Sequence, residues 1–171
     1  MKARIFVAFA ALALAVVAVP YAQGKSGSDL SISLSGSNLN ITTENREPTP
    51  TTEAGVTMGV GIAKGSGSAT FQVRVTYGTP QFSPSCQEEV GLPFGGDITQ
   101  TNLILTYNDG SVLELAADSG SLCGDGTLFV ADVQGTVAGG EGRFDGASGT
   151  WSAVVEQDSA RLTGDVEVDL F

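Results

Sequence analysis

The stretch RLTGDVEVDL, residues 161–170, sets Leu162, Val166, Val168 and Leu170 on one face and Thr163, Asp165, Glu167 and Asp169 on the other. A period of two belongs to a strand with one buried face, whereas an amphipathic helix repeats every 3.6 residues. The same period recurs from Val56 onward. SATFQVRVTY sets Phe71, Val73, Val75 and Tyr77 against Thr70, Gln72, Arg74 and Thr76, and GTWSAVVE puts Trp151, Ala153 and Val155 on one face. TLFVADVQGTV reads as a further strand. TNLILTYNDGSVLEL reads as a hairpin, with Asn108-Asp109-Gly110 supplying the backbone angles of a tight turn. No stretch after the first 24 residues offers a convincing amphipathic helix. Many short strands with regular turn signals predict an all-β chain, a small antiparallel β-barrel of about eight strands. The terminal Phe171 invites comparison with outer-membrane barrels, which tend to end in an aromatic. That reading fails, because Asp169, Glu167 and Asp165 would then face lipid.

The chain opens differently. Lys2 and Arg4 precede an apolar run from Ile5 to Val19, and Pro20 and small residues follow, so residues 1–24 read as a signal peptide. Export to a periplasmic or extracellular location is the expectation, with no membrane association after removal. Losing Lys2 and Arg4 moves the formal charge from −11 to −13, the wrong sign for nucleic acid or an anionic membrane surface. Cys86 and Cys123 are expected to form a disulfide, closing a loop worth about 4 kcal/mol on the chain-entropy view. A catalytic thiol would want a histidine or cationic neighbour, and the sequence has no histidine. Residues 25–55 are rich in Ser, Thr, Asn and Pro and read as a flexible N-terminal arm or linker ahead of a barrel at 56–171. Within the arm Leu30, Ile32 and Leu34 alternate with serine, consistent either with a weak hairpin or with a disordered segment. Asn40-Ile41-Thr42 matches a glycosylation acceptor.

GGEGRFDGASGTW, residues 139–151, is the chain's most glycine-dense stretch. A dinucleotide fingerprint would need a third glycine at Asp145 and a helix after it; a Walker loop would need Gly-Lys-Ser/Thr. A calcium-binding β-roll repeat would need Asp at Phe144, and stacked copies. The surviving reading is a bulge at Gly139 and Gly140, Phe144 plugged into the core, a turn at Asp145-Gly146 and a return strand through Trp151. Arg143 is expected to pair with a carboxylate. No metal site and no cofactor are expected.

The same stretch resembles the Gly-Gly-(Thr/Ser)-Gly-x-Phe-x-Gly-Ala-x-Gly signature of allene oxide cyclase barrel-like proteins and, more distantly, a stretch of the plant dirigent proteins. Gly139, Gly140, Gly142, Phe144, Gly146, Ala147 and Gly149 match; Glu141 departs. The resemblance spans about residues 56–171 and implies an eight-stranded antiparallel barrel. It carries no activity across, since the signature is a structural hairpin. Gly149-Thr150-Trp151 also matches the Gly-x-Trp of lipocalin and avidin barrels, but there the motif lies on the first strand.

Three roles follow. The first is an exported, non-catalytic barrel binding a small apolar ligand or a partner, with Phe71, Tyr77, Phe129, Phe144 and Trp151 as candidate lumen residues. The second is an isomerase or cyclase of the allene oxide cyclase type, for which Glu114 is the carboxylate to test although alternation points it outward. The third is a structural or adhesive surface protein using residues 25–55 as a stalk.

Overall fold

The computed structural model describes residues 28–39 and 55–171. Ten strands run in chain order: β1 (Ser28–Leu39), β2 (Gly55–Lys64), β3 (Ser68–Tyr77), β4 (Gln81–Phe82), β5 (Phe94–Tyr107), β6 (Val112–Ala117), β7 (Gly120–Gly124), β8 (Phe129–Glu141), β9 (Gly149–Gln157) and β10 (Arg161–Leu170). One short helix, α1 (Pro84–Glu89), lies between β4 and β5, and a 3-10 turn spans Gly142–Phe144. At six residues α1 is too short to leave a periodic trace in the sequence.

The strands form a closed eight-stranded antiparallel barrel. Around it β1 to β3 and β8 to β10 pair in chain order, β3 pairs with β5, β6 and β7 each pair with both β5 and β8, and β1 pairs with β10. β6 and β7 lie end to end between β5 and β8 and share one position, while β4 sits outside on β5. The predicted alternation holds. Leu162, Val166 and Val168 are buried while Asp165, Glu167 and Asp169 face water. Glu114 is exposed on the outer wall, as alternation required, with buried Leu113 and Leu115 on either side.

The barrel begins earlier than residue 56. Ser28–Leu39 is neither a local hairpin nor a detached arm: it is one strand, paired with β10 from Ser28↔Leu170 to Ser37↔Arg161 and with β2 on its other side. Ile32 and Leu34 are buried, and the intervening serines face outward. Ser31 Oγ donates to Glu167 Oε1 (2.7 Å) and Ser33 Oγ to Asp165 Oδ1 (2.8 Å), so serine's small hydroxyls fit beside the carboxylate row of β10. The remainder of the arm, the glycosylation pattern and the expected signal peptide lie outside the described residues.

One end of the barrel is closed by the glycine-rich stretch. A register shift in the β6–β8 ladder, between Glu114 and Leu115, places a bulge beside Gly139. Gly142 (φ 66°) and Gly146 (φ 69°) take the left-handed turns that let the chain fold back on either side of Phe144. Phe144 is buried and packs on Tyr107, with ring centroids 5.2 Å apart. The Arg143 guanidinium lies 4.1 Å from the centre of the Tyr107 ring, pairs with Asp109 at 3.6 Å and donates to the Ser66 carbonyl at 3.1 Å. The stretch is a plug and a turn.

Across the middle, Phe71, Leu103, Leu105, Leu113, Leu115 and Trp151 belong to one buried cluster. Trp151 lies across Gly135, and its Nε1–H donates to the Ala116 carbonyl at 3.0 Å. A methyl group at Gly135 would stand 2.7 Å from both Ala117 Cβ and Trp151 Nε1 and would press on the Ala116 carbonyl. Gly135→Ala is therefore expected to lower unfolding free energy by about 1–3 kcal/mol, as overpacking does. Urea denaturation followed by Trp151 fluorescence tests this; an unchanged midpoint would refute the packing account.

Candidate functional site

The opposite end is built from strands that overshoot the barrel. β5 continues past its last pair with β3, Tyr77↔Ile98, and there pairs with β4 on one side and β7 on the other. Four residues consequently stand directly opposite one another across four strands: Phe82↔Phe94, Phe94↔Gly124 and Gly124↔Phe129. Directly paired residues share a sheet face. Two positions down the same face lie buried Leu122 and Ala131, so this row lines the inside of the mouth.

Gly124 gives the row its shape. A Cβ there would stand 2.5 Å from the Phe129 ring, which lies in the space a side chain would otherwise take. Beside it is a small pocket of about 170 Å³ lined by Pro80, Phe94, Leu122, Gly124, Asp125, Gly126 and Phe129. Phe82 and Phe94 remain 70% and 43% exposed at this rim, unusual for phenylalanine. Tyr77 lies inside the same end, half-buried, and burial raises the pKa of its hydroxyl.

The outer side of this extension is covered differently. Gln81, Gly95, Cys123 and Val130 form the adjacent row of paired residues. The expected disulfide between Cys86 and Cys123 is present, tying α1 to β7. Cys86 Sγ would stand 2.8 Å from a Cβ at Gly95, so the bridge packs directly on bare backbone. Together with Leu92 and Val130 the two cysteines make a small second apolar cluster, separate from the barrel core. α1 is capped by Ser83, whose Oγ accepts from the Cys86 amide at 3.3 Å. Between the Gly78–Cys86 segment and the wall runs a cleft of about 590 Å³.

The candidate lumen residues thus fall in three places. Tyr77 and Phe129 stand at the mouth. Phe71 and Trp151 are packed in the middle of the core, and Phe144 closes the far end. Phe82 and Phe94 were not singled out by the sequence, because the stretch TPQFSPSCQEEVGLPFGG carries no alternation. The signal available was two phenylalanines, each beside a Pro, Ser or Gly turn, flanking a cysteine expected to be tied down. Among the described residues no group of three or more His, Cys, Asp or Glu is placed to hold a metal ion, and no helix is long and apolar enough to cross a membrane.

The turn that presents Phe129 depends on one carboxylate. Asp125 Oδ1 accepts from the Leu128 amide (2.8 Å) and from the Thr127 amide and hydroxyl (both 2.7 Å), and these bonds lower its pKa to about 2. A carboxyl depressed below its ordinary 3.8 stabilises the fold fully above that pH and loses the contribution as pH falls through about 2. The Thr127, Leu128 and Phe129 amide resonances are expected to move together as pH falls from 3.8 towards 2, and to stop doing so in Asp125→Ala. Movement centred at the ordinary carboxyl pKa would contradict the assignment.

Comparison with known proteins gives no further guide: no protein-family model, no curated protein and no solved structure matches the chain.

Proposed function

We propose that the protein is an exported, non-catalytic binding barrel whose mouth takes a small apolar ligand, aromatic or of similar bulk. The observation that carries this reading is the pair Phe94 and Phe129, which with Pro80 and Leu122 line an apolar pocket at the one end not plugged by Phe144. The scale fits a single ring, since a dry apolar cavity of about 150 Å³ is enough to hold benzene. Exposed phenylalanines at a concave rim have surface still to bury, and burying one is worth roughly 1.5–3 kcal/mol. The leader pattern at residues 1–24 and the Cys86–Cys123 disulfide support an oxidising destination outside the cytoplasm. The likeness of residues 139–149 to allene oxide cyclase barrels supports a barrel of that type, and Glu114, the carboxylate considered for cyclase chemistry, lies on the outer wall.

Titration with toluene, followed by the methyl resonances of Leu122 and Ala131, tests the mouth. Saturable shifts at both are expected, and Phe94→Ser is expected to weaken the affinity about tenfold, the equivalent of losing one buried aromatic face. Absence of any shift at Leu122, or equal affinity in Phe94→Ser, would overturn the reading.

A further inference from the structure

The 590 Å³ cleft on the outer side of the mouth differs in chemistry from the apolar pocket within. One wall is the segment before and into α1, with Gly78, Thr79, Gln81, Phe82, Ser83 and Ser85; the other is the barrel, with Gly95, Gly96, Asp97, Thr99, Ser121 and Leu122, the last of which also borders the mouth pocket. We propose that this cleft is a second binding site, for a neutral saccharide or similar polyol, independent of the ligand at the mouth.

The side-chain inventory carries the inference. Ser, Thr and Gln each both donate and accept hydrogen bonds, and Asp97 accepts only. A ligand matched to such a set must offer groups that also donate and accept, as sugar hydroxyls do. The lining holds a carboxylate and no cation, which disfavours an anionic ligand. A single carboxylate as exposed as that of Asp97 gives an ammonium group little, because solvent-exposed ion pairs are worth about 0–1 kcal/mol. A vicinal diol can instead donate two hydrogen bonds to that carboxylate, and bonds to a charged group are the stronger kind. Phe82 adds a flat apolar face at the edge of the cleft, on which the C–H face of a pyranose can rest against the ring's negative face.

The two walls are also fixed before a ligand arrives. Cys86 lines the cleft and is bonded to Cys123, two residues beyond Ser121 on the opposite wall. Gly78 N–H donates to the Asp97 carbonyl at 2.9 Å, and Thr99 Oγ1 donates to the Thr76 carbonyl at 3.2 Å, which pins the hinge side. A cleft held open by covalent and backbone bonds loses little further freedom on binding, which matters for weakly binding sugars.

The test is a titration of the oxidised protein with methyl β-glucoside, methyl β-galactoside, methyl α-mannoside and N-acetylglucosamine, read from backbone amide shifts. Putrescine and citrate serve as cationic and anionic comparisons. At least one sugar is expected to give saturable millimolar shifts confined to Gly78, Gly95, Gly96, Asp97, Thr99 and Ser121. Asp97→Ala is expected to weaken that sugar at least tenfold while the remaining spectrum shows an intact barrel. Toluene binding at the mouth is expected to survive in Asp97→Ala, so failure of one site is distinguishable from failure of the other. The proposal is overturned if no sugar moves these amides, if putrescine or citrate saturates them instead, or if Asp97→Ala binds the sugar unchanged.

Discussion

Pairing of the first described strand with the last closes this protein. β1 and β10 run antiparallel through ten paired positions, from Ser28↔Leu170 to Ser37↔Arg161, joining residues more than a hundred positions apart. Such a contact is entropically the most demanding in the chain, since loop closure opposes it and no local structure prepares it. Without it β1 and β10 would each present a free edge, and Ile32, Leu34, Val166 and Val168 would lose the opposite side of their packing. Closure therefore turns a row of amphipathic strands into a core, and both ends of the barrel take their shape from it.

The outcome was legible where a strand's character was local. RLTGDVEVDL, SATFQVRVTY and GTWSAVVE announce their buried faces by alternation, and Asn108-Asp109-Gly110 announces its turn. The Gly139–Gly149 stretch was legible too, because left-handed turns at Gly142 and Gly146 and a buried Phe144 depend on the chain immediately around them. β1 was half-legible: its apolar alternation was visible, but serine is an indifferent strand former, and the reason it serves here is a carboxylate row far away in the sequence. The mouth was hidden for the same reason in stronger form. Phe82, Phe94 and Phe129 come together only through the β4–β5–β7–β8 pairings, and no spacing in the sequence encodes a row that crosses four strands.

The two ends divide the work of the fold. At the closed end, Phe144, Tyr107, Arg143 and Asp109 spend their apolar faces and charges on one another. At the open end the wall continues past the core, so its side chains have no opposite wall to pack against. That difference leaves Phe82 and Phe94 exposed at the open end, whereas Phe144 and Tyr107 are buried at the closed one. Function sits in such places rather than in the fold itself, since the same barrel serves with or without a site at its rim.

An extension of this kind needs support from outside the core. β4 contributes two residues to the sheet and α1 contributes six, too few to bury a useful apolar face or to be stable alone. Their small apolar cluster is made of Leu92, Val130 and the two half-cystines, so the bridge supplies both the tether and much of the packing. Gly95 completes the arrangement by leaving the backbone bare beneath Cys86, which brings the segment close enough for β4 to pair with β5. The disulfide thus holds two surfaces of different chemistry back to back: Phe94 and Phe129 inside and the hydroxyl-lined cleft outside, with Leu122 bordering both. An oxidising location is accordingly a condition for the shape of the mouth as well as for the chain's overall stability.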